Sequence, residues 1–451
     1  MSEGATKKDE KPRKFQAIRG TRDILPPENA LWNHVEQTAH EVFSTFGFGE
    51  IRLPIFEPTE LFARAVGGET DIVSKEMYTF QNPTGLAAMV RENEMLGTLP
   101  EMSPESELIS LRPEATASVC RAYIEHNMQQ LPQPVKLYYL GPMFRRERPQ
   151  KGRYRQFYQI GAEVLGGPDA PAIDAEVIEM VMTFFQKLEL QGVELSINSI
   201  GDKNCRPKYV ELLRAELLKV KDKLGADSQR RIETNPLRVL DSKLESEQAI
   251  IEKLPRITEH LCEDCAAHYA AVKRELQLRG VIYKENWRLV RGLDYYMRTT
   301  FEITAAGLGS QNAVCGGGRY DGLVELLGGP PTKGIGFAIG EDRLILSLQE
   351  SGKAPKPRGR DVYIAWMGEK AHATAIRAAK DLRAAGFSVE LPPIEQKFGK
   401  ALGQADKLGA RYALILGDDE VSEGLWTLKT LADGSQQKLT EPQLLEFLRN
   451  L

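Results

Sequence analysis

Two strand-like stretches around a strongly basic loop, within residues 138–166, constrain the fold more than any other feature of the sequence. The loop, residues 145–155, contains six cations and one acid in eleven positions. Because successive side chains of a strand point to opposite faces, the strand after the loop has two unlike faces. One face is apolar and should pack on helices: Tyr158, Ile160, Ala162 and Val164. The other combines a ring, an amide, a gap and a carboxylate, which suits a small polar ligand: Phe157, Gln159, Gly161 and Glu163.

A solvated hairpin with a charged tip is the simple alternative for this segment, since runs of charge usually lie in solvent. Glu163 favours a binding site instead. A carboxylate in the middle of an otherwise apolar strand is costly unless it has a partner. We therefore expect a ligand or an internal cation beside Glu163.

A second strand, within residues 334–344, alternates bulky side chains with small ones. Its bare face is formed by Gly334, Gly336, Ala338 and Gly340, and Arg343 follows at the start of a helix. A bare face lets a flat ring lie against the backbone. Tight packing of the sheet on a helix also selects glycine and is the alternative.

Three further segments carry chemistry only if the chain brings them together. In a regular strand, Arg291 and Tyr296 would point to opposite faces. They converge only if residues 292–294 form a bend or bulge. Pro113 should open a helix with Glu114 in its first turn, where Glu114 and Thr116 could simply be capping residues. The three adjacent glycines within residues 314–322 could be only a turn.

Length and composition limit the class of protein. At roughly 150 residues per domain, 451 residues indicate about three structural units. A net charge of −4 excludes a generally basic nucleic-acid-binding surface, so nucleic acid would have to meet local basic patches. No apolar run is long enough to span a membrane, and the N-terminal residues resemble neither a secretory signal nor a transit peptide. Five cysteines are too few for a disulfide framework, so we expect a cytoplasmic protein.

The order of patterns predicts the organisation of the chain. We expect a disordered tail at 1–14, a surface insertion at about 82–107, a helical insertion at about 203–285 and a linker at 351–359. Residues 360–451 alternate strands with helices, which predicts a small α/β domain with a largely parallel sheet. The clearest periodicities predict helices at 28–46, 114–127 and 172–190 and a strand at 50–54.

Taken in order, these motifs resemble the class II aminoacyl-tRNA synthetases, and most closely the histidyl-tRNA synthetase family. Residues 19–54 resemble class II motif 1, 144–147 with 153–163 motif 2, and 334–344 motif 3. Residues 289–296 and 317–323 resemble the two histidine-specific signatures of the family. The resemblance covers about residues 15–451. It implies an α+β catalytic domain built on an antiparallel sheet at 15–350, an anticodon-binding domain at 360–451 and a homodimer.

The resemblance also implies ATP-dependent ligation of L-histidine to the 3′ end of histidine tRNA through histidyl-adenylate, with Mg²⁺ on the ATP phosphates. Arg291 and Arg145 would be the catalytic residues. The implied histidine-binding residues are Glu114, Thr116, Arg145, Gln159, Glu163, Arg291, Tyr295 and Tyr296. The implied ATP-binding residues are Arg145, Glu147, Arg153, Phe157, Gly340 and Arg343. Arg148 and Gln150 would meet the acceptor end of the tRNA.

Two other functions fit parts of the same pattern. A catalytically inactive paralogue serves as the regulatory subunit of ATP phosphoribosyltransferase, but it would not need the four arginines or the C-terminal domain. A class II synthetase for glycine, threonine or proline would share that domain, but Glu163 and residues 291–296 argue against it.

Cys262 and Cys265 lie between His260 and His268, which together could form a four-ligand zinc site. Without a second cysteine pair, the cysteines are more often structural. We therefore expect no protein-bound metal.

Overall fold

A computed structural model describes residues 14–68, 70, 72–81, 108–293, 295–309, 312–352 and 359–450. The chain divides into two compact units, Met1–Pro355 and Lys356–Leu451. Residues 1–13 of the predicted tail, the predicted insertion at 82–107 and residues 353–358 of the predicted linker lie outside the described residues.

The first unit combines short helices with one large sheet. Its strands are β1 (Gly49–Glu50), β2 (Phe56–Pro58), β3 (Thr79–Gln81), β4 (Leu108–Leu111), β5 (Val135–Phe144), β6 (Gln156–Leu165), β7 (Glu194–Ser199), β8 (Lys284–Glu285), β9 (Met297–Thr304), β10 (Ala313–Arg319) and β11 (Gly334–Gly340). Its helices are α1 (Asn29–Thr45), α2 (Thr59–Val66), α3 (Thr116–Glu125), α4 (Pro171–Lys187), α5 (Arg206–Leu218), α6 (Ala226–Thr234), α7 (Glu245–Ile251), α8 (Glu263–Leu278), α9 (Leu323–Leu326) and α10 (Glu341–Glu350).

Within the described residues, the large sheet has eight strands in the order β1-β5-β6-β11-β10-β9-β7-β8. The edge pairs β1–β5 and β7–β8 are parallel, and the pairs between them are antiparallel. The predicted α+β fold on an antiparallel sheet is therefore confirmed. The predicted hairpin of 138–166 is formed by β5 and β6, the second and third strands of this order.

One face of this sheet is covered by helices α1, α4, α8 and α10. The predicted apolar face of β6 lies here, because Ile160, Ala162 and Val164 are buried among Phe43 of α1 and Phe184 of α4. The opposite face meets α2, α3 and α9, and a separate three-stranded sheet, β2-β4-β3, contacts α2. The polar side chains of β6 face that second layer, which is where the site lies.

The predicted helical insertion has its own core, formed from α5, α6, α7 and the turns between them. Helix α8 does not belong to that core. Its residues Tyr269, Val272 and Leu276 pack into the main core beside α4. The insertion therefore ends earlier than the predicted residue 285.

The predicted helices and strands differ from the observed ones mainly at their ends. The helices expected at 28–46, 114–127 and 172–190 are Asn29–Thr45, Thr116–Glu125 and Pro171–Lys187. The strand expected at 50–54 pairs only over Gly49–Glu50, with one further bond from Ile51 N to Tyr138 O. Pro54 has no N–H to continue such a ladder.

The second unit contains a five-stranded sheet in the order β13-β12-β14-β15-β16. Its strands are β12 (Val362–Met367), β13 (Val389–Glu390), β14 (Tyr412–Gly417), β15 (Trp426–Thr430) and β16 (Gln436–Leu439). Its helices are α11 (Glu369–Ala384), α12 (Phe398–Lys407), α13 (Asp418–Glu423) and α14 (Glu441–Arg449). The first three strands are parallel as predicted, but β15 and β16 add an antiparallel half. In the described part of the chain, no helix combines the length and apolar character needed to cross a membrane.

Candidate active site

A cavity of about 300 Å³ opens where β6, β10 and β11 meet the basic loop of 145–155. Eight of the predicted site residues line it together: Arg145, Glu147, Arg153, Phe157, Gln159, Arg291, Gly340 and Arg343. These residues come from segments that are far apart in the chain. They meet because β6 pairs with β11 and β11 pairs with β10. The sheet therefore brings four arginines together with Glu147, Glu302 and Asp342, a combination that no single motif contains. We call this space the cationic cavity after its arginines.

One acidic residue, Glu147, lies close to two of these arginines. Arg153 Nη1 lies 3.2 Å from Glu147 Oε2, and Arg145 Nη1 lies 3.9 Å from Glu147 Oε1. Arg145 also donates from Nε to Pro113 O at 3.0 Å, and its guanidinium lies 5.2 Å from the centre of the Phe157 ring. Each contact leaves other guanidinium N–H groups for a ligand, since arginine has five donors.

Arg291 is buried deepest of the four. Its guanidinium lies against Gly316 so closely that a Cβ at that position would overlap it. Nη1 lies 3.7 Å from Glu302 Oε2, and the guanidinium lies 5.3 Å from the centre of the Tyr296 ring. Nε is buried and has no hydrogen-bond partner among the described residues. The predicted bend is present at Gly292 and brings Arg291 and Tyr296 together.

Arg343 lies in the first turn of α10 and donates from Nη1 to Ala313 O at 3.0 Å. Burial and, after it, the neighbouring Arg153 guanidinium lower the pKa of Arg343. Because like charges within a partly buried space repel, a bound anion would stabilise these neighbouring arginines. These arginines thus have the charge of a polyphosphate site.

Glu163 lies further along β6 and is 1% exposed. We call the group formed by Glu163, Thr116, Tyr295, Tyr296 and Tyr320 the Glu163 pocket. Thr116 donates from Oγ1 to Glu163 Oε1 at 2.7 Å, and the Tyr320 hydroxyl donates to Oε2 at 2.5 Å. Gly336 lies opposite on β11, where a Cβ would overlap Oε2. Burial raises the pKa of Glu163 to about 8, although the hydrogen bonds from Tyr320 and Thr116 act in the other direction.

Aromatic rings connect this pocket with the cavity. The ring centres of Tyr320 and Tyr295 are 5.7 Å apart, and those of Tyr295 and Tyr296 are 4.7 Å apart. The Arg291 guanidinium in turn lies over the Tyr296 ring. Gln159, on the same face of β6 as Glu163, has a buried Oε1 without a hydrogen-bond partner in the described part of the chain. An acceptor with no donor lies at the junction of the two spaces.

Of the two residues that could have been capping residues or site residues, Glu114 caps a helix and Thr116 contacts Glu163. Glu114 caps α3, because its carboxylate accepts from the backbone N–H groups of Thr116 at 2.8 Å and Ala117 at 3.0 Å. Burial raises the pKa of Glu114, and these backbone bonds oppose the shift. The Thr116 side chain makes no cap and points to Glu163.

Arg148 and Gln150 lie apart from both spaces. They are exposed on the loop of 145–155, where the backbones of Gln150 and Arg153 form two hydrogen bonds across a tight turn. The charged tip expected for the hairpin is present there, and it is the part of the site that a large partner can reach.

Sequence reasoning missed three side chains in the site. Tyr320 binds Glu163, Glu302 faces Arg291 in the cavity, and Tyr139 has a buried hydroxyl with no partner among the described residues. Tyr139 shares strand parity with Arg145 and pairs with Gly161, so alternation could have found it. Tyr320 lies within residues 317–323, which resemble a histidine-specific signature, but its contact with Glu163 depends on strand pairing. No local signal marks Glu302, whose position opposite Arg291 also depends on the fold.

The bare face of β11 differs from the expectation. Gly334 and Gly336 are covered by side chains of this chain, Tyr320 and Glu163, rather than by a ring of a ligand. Ala338 and Gly340 do line the cavity. At one end of β11, Gly334 and Gly336 thus leave room for the side chains of Tyr320 and Glu163. At the other end, the strand face is open to the cavity.

Comparisons with known proteins agree over nearly the whole chain. Residues 20–344 match the family described as Histidyl-tRNA synthetase, and residues 361–451 match the Anticodon binding domain. A histidine–tRNA ligase from Solibacter usitatus is 52% identical over 431 residues, 95% of this chain and 98% of the relative. One from Koribacter versatilis is 51% identical over 440 residues, 97% of this chain and 96% of the relative. The crystal structure of apo S. aureus histidyl-tRNA synthetase matches with a TM-score of 0.76 and 36% identity, covering 97% of this chain and 100% of that one.

Proposed function

The chain belongs to the histidyl-tRNA synthetase family and charges histidine tRNA, and we propose that the cationic cavity and the Glu163 pocket together carry out the adenylation step. A carboxylate oxygen of histidine attacks the α-phosphorus of ATP, and pyrophosphate leaves. The 3′-terminal ribose hydroxyl of the tRNA then attacks the acyl carbon of histidyl-adenylate, and AMP leaves. Neither step needs a nucleophile from the protein, so catalysis rests on positioning and charge stabilisation.

The observation that carries this proposal is that Gln159, which lines the cavity, and the buried Glu163 lie on the same face of β6. An amino acid with its side chain at Glu163 would have its carboxylate beside the arginines. That is where the attack on ATP must take place.

The nucleotide contacts follow from the charges. Arg145 would bind the α-phosphate and the histidine carboxylate, and Arg291 would stabilise charge that develops at the α-phosphorus. The buried Nε of Arg291, which has no partner in the described residues, supports this role. Arg153 and Arg343 would hold the γ-phosphate, because a guanidinium fork matches phosphate oxygens.

The other cavity residues would hold the base and the metal-bound phosphates. Glu147 would accept from the adenine amino group and Phe157 would stack on the ring, while Gly340 would let the nucleotide approach the backbone. Mg²⁺ would accompany the ATP phosphates, and Glu302, beside Arg291, is a carboxylate that lines the cavity. Hard divalent cations prefer such oxygen ligands.

The histidine contacts follow from hydrogen-bond complementarity. Neutral imidazole has one donor and one acceptor. Glu163 would accept from one ring nitrogen and Tyr296 would donate to the other, with Tyr295 beside them. A site that leaves such buried groups unpaired with a wrong substrate can discriminate by about 10⁴–10⁵-fold, so editing is unnecessary.

The α-ammonium group of histidine would lie at the junction of the pocket and the cavity. Glu114, Thr116 and Gln159 would bind it, and the buried, unpaired Oε1 of Gln159 among the described residues supports this position.

The tRNA contacts involve both units. Arg148 and Gln150 would reach the acceptor end, and the second unit would read the anticodon. With 12 basic and 13 acidic residues in 360–451, this reading must use a local surface. We also expect a cytoplasmic homodimer, and the exposed apolar side chains Ile55 and Phe56 next to motif 1 suit a subunit interface.

ATP–pyrophosphate exchange by the purified full-length chain tests the proposal most directly. Exchange should require histidine and should not occur with glycine, threonine, proline or any other amino acid. Exchange with another amino acid would remove the assignment of the pocket. Absence of exchange together with tight histidine binding would favour the regulatory paralogue.

A further inference from the structure

Outside the active site, four side chains bring thiol and carboxyl groups together in one cluster. The ligand atoms of Asp202, Cys205, Cys262 and Cys265 all lie within 4.8 Å of one another. Asp202, Cys205 and Cys265 are buried, whereas Cys262 is partly exposed. The second pair that the sequence pattern lacked is therefore present, with an aspartate in place of one cysteine.

Each pair forms a turn that points both of its side chains to the same side. Asp202 follows β7 and Gly201, which has a φ of +66°, and the backbone N–H of Asp202 donates to Cys205 Sγ at 3.4 Å. Cys205 precedes the first residue of α5. In the second pair, Cys262 precedes the first residue of α8 and Cys265 lies in its first turn. Such positions stabilise thiolates, because the N-terminus of a helix carries partial positive charge.

The spacing of the four groups is close to that of a tetrahedral zinc site. Cys205 Sγ lies 3.6 Å and Cys262 Sγ 3.8 Å from Asp202 Oδ1. Zinc bonds of about 2.3 Å to sulfur and about 2.1 Å to oxygen place tetrahedral ligands roughly 3.5–3.8 Å apart. The widest separation in the cluster, 4.8 Å, needs to contract by only about 1 Å to reach that geometry.

A cation beside the cluster offsets the charge that such a site would carry. Three thiolates, one carboxylate and Zn²⁺ sum to a net charge of −2. Arg298 Nη2 lies 3.6 Å from Asp202 Oδ2, and Arg298 also contacts Cys265. Arg298 has a φ of +49°, held by backbone bonds with Ile200 at 2.9 Å and Gly201 at 2.7 Å. A non-glycine residue in this strained region of φ often marks a functional constraint.

Histidines near the cysteines in sequence do not join the cluster. His268 Nε2 lies 3.6 Å from Asp174 Oδ2, and the His260 ring lies beside the Tyr209 ring, 5.9 Å between centres. The alternative to a metal is a set of thiols that donate to Asp202. Thiols are weak hydrogen-bond donors. Three of them around one carboxylate would add little stability to offset the burial of that carboxylate.

We propose that Asp202, Cys205, Cys262 and Cys265 bind one Zn²⁺ as a structural site. It ties α5, in the core of the helical insertion, to α8, which packs on the main core. Arg206, next to Cys205, donates to Tyr296 O at 2.5 Å. The metal therefore fixes the insertion beside the residues that we assign to histidine, and it does so from outside the cavity.

Metal analysis of the full-length protein tests the proposal. Protein purified without chelators, with its five thiols shown by mass spectrometry to be reduced, should contain about one zinc per chain. Cys205→Ser and Cys262→Ser should each weaken zinc binding by more than the roughly 10–100-fold that loss of a supporting hydrogen bond costs. Cys120→Ser is the matched control, because Cys120 is a buried cysteine of α3 outside the cluster, and this variant should keep its zinc.

Asp202→Cys keeps the proposal testable if the serine variants do not fold. Replacing zinc with Co²⁺ should give the visible spectrum of a tetrahedral thiolate site, and this variant should retain the metal with a stronger sulfur-to-cobalt band. Reduced wild-type protein that takes up no zinc when it is offered would overturn the proposal. Zinc that stays bound in both serine variants, or a cobalt spectrum unchanged in Asp202→Cys, would also overturn it.

Discussion

The cationic cavity and the Glu163 pocket share one sheet face but recognise ligands in different ways. In the cavity, the side chains of Arg145, Arg153 and Glu147 are 21%, 39% and 19% exposed, and the two arginines share the single Glu147 carboxylate. In the pocket, Glu163 is 1% exposed and both of its oxygens already accept hydrogen bonds. The cavity presents charge to an incoming ligand, whereas the pocket presents a fixed hydrogen-bond pattern.

This difference separates affinity for a nucleotide from selection of an amino acid. Charges near solvent attract any polyphosphate and tolerate small shifts, because the field falls slowly with distance. A buried carboxyl with a fixed orientation tolerates little, since an unpaired polar group in that position costs its full desolvation energy. Variants should therefore divide into those that change ATP use and those that change histidine use.

The largest effect is expected from Arg291→Ala. Loss of a preorganised donor at the reacting centre typically lowers the rate by about 10²–10³-fold, and we propose that Arg291 is such a donor. Histidine-dependent ATP–pyrophosphate exchange measures the effect. Arg230→Ala, at an exposed arginine of α6, is the control and should exchange normally. A near-normal rate in Arg291→Ala would reject the role of this residue.

A second variant distinguishes the two ends of β11. In Gly336→Ala the new Cβ overlaps the Glu163 carboxyl, and overpacking of this kind costs about 1–3 kcal/mol. Gly340→Ala is its matched partner at the cavity end, where the nearest atom to the new Cβ is Arg343 Cδ at 3.8 Å. Urea unfolding should show a loss of stability for Gly336→Ala alone. Equal losses would show that the glycines share one structural role.

The sequence predicted the sheet face of β6 because strand alternation is a local property, and Gln159 and Glu163 do lie on one face. It did not reveal that Tyr320 binds Glu163, since this contact depends on the pairing of β11 with β6 and of β10 with β11. The same limit hid the proximity of Asp202 to Cys262, which lie 60 positions apart. Pairing between distant strands and helices is set by packing of the whole core, which a local pattern does not encode.

Exchanging one carboxyl for an amide in each space sharpens the comparison. Glu163→Gln should raise the KM for histidine by about 10–100-fold, because a buried polar group left without its partner costs about 1–3 kcal/mol, and it should leave the KM for ATP nearly unchanged. Glu147→Gln should do the reverse and by a smaller factor, since Glu147 is nearer to solvent. Exchange kinetics with each substrate varied in turn measure both constants. Parallel changes in the two constants for either variant would contradict the division between the spaces.

The smallest effect is a pH dependence of stability that belongs to the pocket alone. Burial raises the pKa of Glu163 to about 8, whereas in the unfolded chain this carboxyl titrates near 4.5. Between these values the folded state binds more protons than the unfolded state, so the contribution of Glu163 to stability falls as the pH rises. From pH 6 to pH 8 the loss should be roughly 2 kcal/mol, since one pKa unit corresponds to about 1.4 kcal/mol.

Urea unfolding of the unliganded protein at several pH values measures this loss as the difference between wild type and Glu163→Gln. The amide does not titrate, so the variant should lack this part of the pH dependence. Its free energy of unfolding should therefore rise relative to that of the wild type as the pH rises. If wild type and Glu163→Gln give parallel curves between pH 6 and 8, Glu163 is already ionised in the folded protein. The pocket would then hold a charge, as the cavity does, and the contrast between the two spaces would disappear.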